Sequence, residues 1–85
     1  MRISVYTTPN CPQCRIVKKM LDEAKVKYET TDLSQDAEAM EMVKGLGYVS
    51  APVVFAGDAH WTGFRHEKML DTIIKYRLAQ IHEAA

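Results

Sequence analysis

The chain's 85 residues predict an α/β fold of order β-α-β-α-β-β-α, with a mixed four-stranded sheet flanked by helices on both faces. Three observations carry that expectation. Apolar residues switch repeatedly between strand-like runs and helical steps of three and four. A Gly57-Asp58 turn separates two short strand-like runs. The only two cysteines stand as Cys11-Pro12-Gln13-Cys14, between a strand-like and a helix-like segment.

Taken in order, Ile3, Val5 and Tyr6 form a β-rich run suited to a buried first strand, broken by Thr7-Thr8-Pro9-Asn10. Ile16, Val17, Met20, Leu21 and Ala24 then share one face of a helix over Arg15 to Ala24. Pro12 fits the first helical position, where its missing N–H is no loss. Lys27 to Thr31 reads as the second strand. Asp32-Leu33-Ser34 starts a second helix, with Ser34 as its cap and Asp36 in its first turn. Ala37, Met40, Val43 and Leu46 mark its buried face, and Gly45 and Gly47 end it. A loop from Tyr48 to Pro52 leads into the strand Val53-Val54-Phe55-Ala56. Ala59-His60-Trp61-Thr62 pairs back as an antiparallel fourth strand, and Gly63 breaks it. The last helix starts at about Arg65 and is expected to bury Met69, Leu70, Ile73, Ile74 and Leu78, with Glu83-Ala84-Ala85 fraying. The first two strands, joined by a helical crossover, must be parallel and right-handed.

Residues 1–85 are expected to form one domain, since so short a chain holds one compact core. Apolar residues make up 47% of it, which argues against disorder. Eleven basic residues balance eleven acidic ones, so no cationic excess points to nucleic acid. No apolar run has the length of a signal or membrane-spanning segment, so no membrane partner is expected and a cytoplasmic location is the default. In the cytosol thiols stay reduced, so a lone Cys-x-x-Cys is there for reactivity rather than bracing. A monomer is expected.

Thiol–disulfide exchange needs a thiolate. A free cysteine near pKa 8.5 is only about 3% ionised at pH 7, and the free N–H groups at a helix start favour the anion. Cys11 directly precedes the helix and is expected to be the nucleophile. Cys14 lies one turn later, more shielded, and is expected to resolve the mixed disulfide. Pro12 and Gln13 tune the turn. Pro52 opens a strand, where its missing N–H spares the ladder. Read alone it is an ordinary trans proline. With a Cys-x-x-Cys upstream, it is expected to stand beside Cys11 in cis, leaving the Ala51 backbone free to pair with an incoming peptide.

Val5-Tyr6-Thr7, Cys11-Pro12-Gln13-Cys14, Gly47-Tyr48, Ala51-Pro52-Val53-Val54 and Trp61-Thr62-Gly63-Phe64-Arg65 together resemble the NrdH-redoxins, small glutaredoxin-like proteins with a thioredoxin-like fold. The resemblance spans nearly the whole chain. It implies a carrier that donates electrons to the large subunit of a class Ib ribonucleotide reductase. It also implies reduction by thioredoxin reductase rather than glutathione, with NADPH used only indirectly and no bound cofactor. The redox pair carries over onto Cys11 and Cys14, and the cis-proline onto Pro52. The segment Trp61, Thr62, Gly63, Phe64 and Arg65 is implied to be a hydrogen-bonded brace near the last helix that also shapes the partner surface. Two departures stand out: Pro12 replaces the family's usual Val, and His66 replaces the proline after Phe-Arg.

Rival readings remain open at this stage. Glutathione carries two carboxylates and needs basic and backbone donors. Here Gln13 stands where glutaredoxins carry Tyr or Phe, Trp61-Thr62-Gly63-Phe64 where they carry Gly-Gly, and Thr8 where many have lysine. Arg65 stays available as an anion partner. Structural zinc wants four ligands, and His60, His66 and His82 show no ligand spacing to the cysteines. An iron–sulfur cluster held by the cysteines and bridging two chains is the third reading. Trp61 and Phe64 are either core residues or docking anchors, and Arg65 is either the brace that the resemblance implies or a solvated helix-start residue. Tyr6, Tyr48 and the methionines read as packing.

Overall fold

The structure is a computed structural model that describes residues 1–84, with side chains through Ile81. Its elements are β1 (Ile3–Thr7), α1 (Pro12–Glu23), β2 (Glu29–Asp32), a 3-10 turn (Leu33–Gln35), α2 (Ala37–Gly45), β3 (Val53–Ala56), β4 (Ala59–Thr62) and α3 (His66–Ala84). The sheet order is β2-β1-β3-β4. β1 runs parallel to β2, while β1–β3 and β3–β4 are antiparallel, with Val5 opposite Val54 and Val54 opposite Trp61. This is the element order and mixed sheet that the sequence predicts.

Strand alternation divides the core between two faces. Ile3, Val5, Val54, Ala56 and Trp61 face α1 and α3, meeting Val17, Leu21, Met69 and Tyr76. Val53 faces the opposite way, toward Leu33 and Val43 beneath α2. Val5, Val17, Leu21, Val54 and Met69 are fully buried, each stabilising the fold by about 1.5–3 kcal/mol.

Both short helices end in the same reciprocal pair of backbone bonds. In α1, Val26 N–H donates to Leu21 O and Lys25 N–H to Asp22 O, with Lys25 left-handed at φ 58°. In α2, Tyr48 N–H donates to Val43 O and Gly47 N–H to Lys44 O, with Gly47 at φ 88°. The second of these turns launches the Tyr48–Pro52 loop toward the cysteines.

Three local expectations are corrected. Asp36, not Ser34, caps α2: its Oδ1 accepts from Ala39 N–H at 3.0 Å. Asp32 caps the preceding 3-10 turn through Ser34 N–H at 2.9 Å, so the carboxylates take both caps. In α2 only Val43 is buried, and Leu46 is 44% exposed. In α3 the buried residues are Met69, Thr72 and Tyr76, whereas Leu70, Ile74 and Leu78 face outward. Tyr76 wins its place because its hydroxyl accepts Lys27 N–H at 3.2 Å while its ring joins the core. The helix runs on to Ala84, and the last residue of the expected frayed tail, Ala85, lies outside the described residues.

Candidate active site

The turn after β1 is shaped residue by residue. Asn10 takes the left-handed conformation (φ 57°), which its short polar side chain tolerates better than most. Cys11 precedes a proline and is therefore held extended, at φ −110° and ψ 101°. That is the backbone of a helix N-cap, and Pro12 follows at the first helical position. Cys11 Sγ accepts the N–H of Cys14 at 3.1 Å, and Arg15 N–H donates to Cys11 O at 3.2 Å. The sulfur thus occupies the capping oxygen's usual place. No acidic residue stands in the first turn of α1 to oppose a negative charge there.

Cys11 and Cys14 are joined in a disulfide with their Cα atoms 5.2 Å apart. The two sulfurs differ in access: Cys11 is half-buried, while Cys14 is 2% exposed. Cys11, Pro12 and Gln13 line an open groove together with Thr8, Asn10, Ser50 and Ala51. No side chain lining that groove carries a formal charge. Ala51–Pro52 is cis, and Pro52 is fully buried behind Ala51.

The end of β4 ties this loop in place. Gly63 N–H donates to Pro52 O at 2.7 Å. Thr62 Oγ1 donates to Ser50 O at 2.8 Å and lies 3.3 Å from Pro52 O. Gln13 reaches across from the redox turn, its Oε1 accepting Phe64 N–H at 3.2 Å. Gly63, at φ 85°, has the conformation that lets the chain bend past these contacts. Residues 10–14, 50–52 and 62–64, distant in sequence, are therefore joined by named hydrogen bonds and one groove.

The segment Trp61–Arg65 divides differently from the sequence expectation. Trp61 is 4% exposed and sits in the core, so it offers no docking surface. Its indole N–H finds no acceptor among the described residues, and Lys68 Nζ lies 5.8 Å from the ring centroid. Phe64 is half-buried and packs against the core. Arg65 is exposed, and its guanidinium makes no hydrogen bond or ion pair among the described residues, so the expected arginine brace is absent there. Thr62, Gly63 and Gln13 do the bracing, and they brace the Ser50–Pro52 loop and the redox turn. Asn10 and Ser50 escaped sequence reasoning. The only signal for Asn10 was its place before Cys-Pro, and Ser50 gave none.

Among the described residues, no group of three or more His, Cys, Asp or Glu side chains comes together as a metal site. No described helix is long and apolar enough to cross a membrane.

Residues 3–61 match the family model described as glutaredoxin. The glutaredoxin-like protein NrdH of Escherichia coli (strain K12) is 37% identical over 65 residues, 76% of this chain and 80% of that protein. The NrdH protein of Lactococcus lactis subsp. lactis (strain IL1403) is 33% identical over 67 residues, 79% of this chain and 93% of that one. The solved structure of the glutaredoxin-like NrdH-redoxin from Escherichia coli superposes with a TM-score of 0.81 at 34% identity, covering 84% of this chain and 93% of that chain.

Proposed function

The chain belongs to the glutaredoxin family as an NrdH-type thiol–disulfide oxidoreductase, and we propose that it carries electrons from thioredoxin reductase to a class Ib ribonucleotide reductase. The observation that carries the carrier reading is the unequal placement of the two sulfurs. Cys11 Sγ is half-accessible and accepts a helix-start N–H, and Cys14 lies buried one turn behind it.

In the reduced protein the N-terminus of α1 favours Cys11 as the thiolate. Cys11 Sγ attacks one sulfur of the partner's disulfide. That S–S bond breaks, and the partner's other sulfur leaves as a thiolate and takes a proton from water. Cys14 then gives up its proton and attacks Cys11 Sγ, expelling the partner's second sulfur. Two electrons have passed to the partner, and the Cys11–Cys14 disulfide of this structure remains. A reductase dithiol, charged by NADPH, reverses the sequence. Pro12 and Gln13 shape the turn, Ala51 and Pro52 form the opposite wall, and Thr62, Gly63 and Phe64 hold that wall against the turn.

The uncharged lining of the groove supports a polypeptide disulfide over glutathione, whose two carboxylates would find no cation among Thr8, Asn10, Gln13, Ser50 and Ala51. The Escherichia coli relative is described as having a thioredoxin-like activity profile, which agrees with this choice. One observation favours the rival: the guanidinium of Arg65, unpaired among the described residues and next to Phe64, is available to an anion.

The test is turnover of a class Ib reductase large subunit in two arms, one with thioredoxin reductase and NADPH, the other with glutathione, glutathione reductase and NADPH. Activity in the first arm alone is expected. Activity in the glutathione arm alone would make the protein a glutathione-dependent glutaredoxin. Stoichiometric zinc or iron with blocked thiols in anaerobically purified protein would replace the carrier reading with a binding module.

A further inference from the structure

Trp61 points into the core between the sheet and α1 and α3, so its strand neighbours His60 and Thr62 share the opposite face, on the α2 side. There the imidazole of His60 stacks on Phe55, its partner across the strand pair, with ring centroids 5.3 Å apart. Phe55 in turn meets Tyr6 edge to face at 5.5 Å. His60 also meets Tyr48 edge to face at 5.6 Å, and its Nδ1 lies 2.6 Å from Tyr48 Oη. That is a hydrogen bond whichever of the two atoms carries the proton.

Tyr48 opens the loop that carries Ser50, Ala51 and Pro52. Among the described residues, Val49, Ser50 and Ala51 make no backbone–backbone hydrogen bond, and Val49 is 96% exposed. The middle of the loop therefore has neither a ladder nor a core of its own. Two side chains of β4 hold it instead: His60 takes Tyr48 and Thr62 takes Ser50, each across 12 residues. Side chains two apart on one strand thus secure residues two apart in the loop. Gly63 N–H secures Pro52 O beyond them at 2.7 Å.

We propose that His60 is a positioning residue for disulfide exchange: acting through Tyr48, it fixes the path on which the loop presents Ala51 beside Cys11. The role rests on the reading of the groove as a site for a polypeptide disulfide. Such a partner must lie along the loop as well as reach Cys11 Sγ, and the backbone groups left unpaired at residues 49–51 are what that wall offers it. A small disulfide needs the sulfur alone. Releasing Tyr48 gives the loop more paths, and a docking polypeptide then has to order it. Neither His60 nor Tyr48 lines the groove at the cysteines, so exchange at Cys11 itself is untouched.

The test mixes the reduced full chain with an excess of one of two oxidants: insulin as the polypeptide disulfide, 2-hydroxyethyl disulfide as the small one. The oxidised fraction is read by mass spectrometry after alkylation, as a function of oxidant concentration. Tyr48→Phe and His60→Phe each keep an aromatic ring and lose the hydrogen bond. With insulin, each is expected to raise the half-saturating concentration about threefold at an unchanged maximal rate. The double variant is expected to go no further than either single one, since one bond can be lost only once. Rates with the small disulfide stay parental in all three. A parental half-saturating concentration in either single variant overturns the proposal, as does an additive rise of about ninefold in the double. Equal slowing with both oxidants also overturns it, because that marks a general loss of structure. These three results leave the polypeptide reading standing. A parent that reduces the small disulfide but not insulin removes that reading, and the role of His60 with it.

Discussion

Replacing Thr62 by Val removes one hydroxyl at the tie between β4 and the loop facing the cysteines. That hydroxyl donates to Ser50 O at 2.8 Å, and the remaining tie is the backbone bond from Gly63 to Pro52 O at 2.7 Å. A hydrogen bond of this kind contributes about 0.5–1.5 kcal/mol net. Thr62 is only half-buried and Ser50 is exposed, so water replaces the lost donor and the lower part of that range applies, about 0.5–1 kcal/mol. For 85 residues the unfolding entropy is roughly 0.18 kcal/mol/K, which converts the loss to about 3–6 °C in Tm. The loosened loop carries Ala51, a wall of the groove, and must be ordered when a partner docks. The Michaelis constant for the disulfide partner should rise roughly two- to threefold with kcat unchanged. Thermal melts followed by circular dichroism and initial rates with the coupled reductase read both effects. Thr62→Ser keeps the hydroxyl and should stay within about 2 °C of the parent. A Val variant with parental Tm and KM, or a Ser variant that falls as far as Val, would refute the reasoning.

Cys11→Ser is expected to abolish turnover, while Cys14→Ser accumulates a mixed disulfide seen by mass spectrometry as a reducible partner adduct; the opposite pattern would exchange the two roles. Gln13→Glu keeps an acceptor for Phe64 N–H but puts a negative charge between the cysteines. Alkylation of reduced Cys11 should slow roughly fivefold at low salt and less at high salt, and an unchanged rate would show that local charge does not govern the sulfur. Tyr28 is pushed up to about 12, first by burial and then by its hydrogen bond to Asp22 at 2.8 Å. Tyrosine in the unfolded chain titrates near 10, so this contribution is complete below about pH 10 and is lost as pH rises toward 12. Tyr28→Phe should flatten the decline of Tm across that window, and parallel slopes would count against it.

The sheet and its order were legible because each connection carries a strong local signal. Gly57-Asp58 between two alternating runs makes a hairpin, and the parallel first pair follows from its helical crossover. The redox turn was legible for the same reason, since a proline after Cys11 dictates both the cap conformation and the helix start. What was misread depended on a choice between equals. In α3, Leu70, Ile74 and Leu78 join Met69 and Ile73 in a plausible buried face, yet only Met69 and Ile73 pack on the core and Thr72 and Tyr76 bury beside them. More apolar residues are present than one face can hold, and the choice is made by the Tyr76 hydroxyl finding Lys27 N–H across the fold. Trp61 could not be placed from sequence because its depth depends on Val54 and α3 rather than on its neighbours in the chain. Arg65 was assigned a bracing role that Thr62 and Gln13 fill. The bonds from Thr62 to Ser50 and from Phe64 to Gln13 span 12 and 51 residues, beyond the reach of any local pattern.

The same geometry links stability to chemistry at Cys11. Ser, Thr, Asp and Asn are the preferred caps because a side-chain oxygen satisfies a free helix N–H. Here that position is held by sulfur, a weak acceptor when neutral or disulfide-bonded and a strong one as a thiolate. α1 also lacks a first-turn carboxylate that would supplement the cap. The helix is therefore underserved at its start in the oxidised protein and best served when Cys11 carries a negative charge. The charge that makes the sulfur reactive is the one that completes the helix, so holding the carrier in its electron-rich form and folding its first helix are a single interaction seen from two sides. Pro12 enforces the coincidence: it keeps Cys11 in the extended conformation from which its side chain reaches the N–H of Cys14.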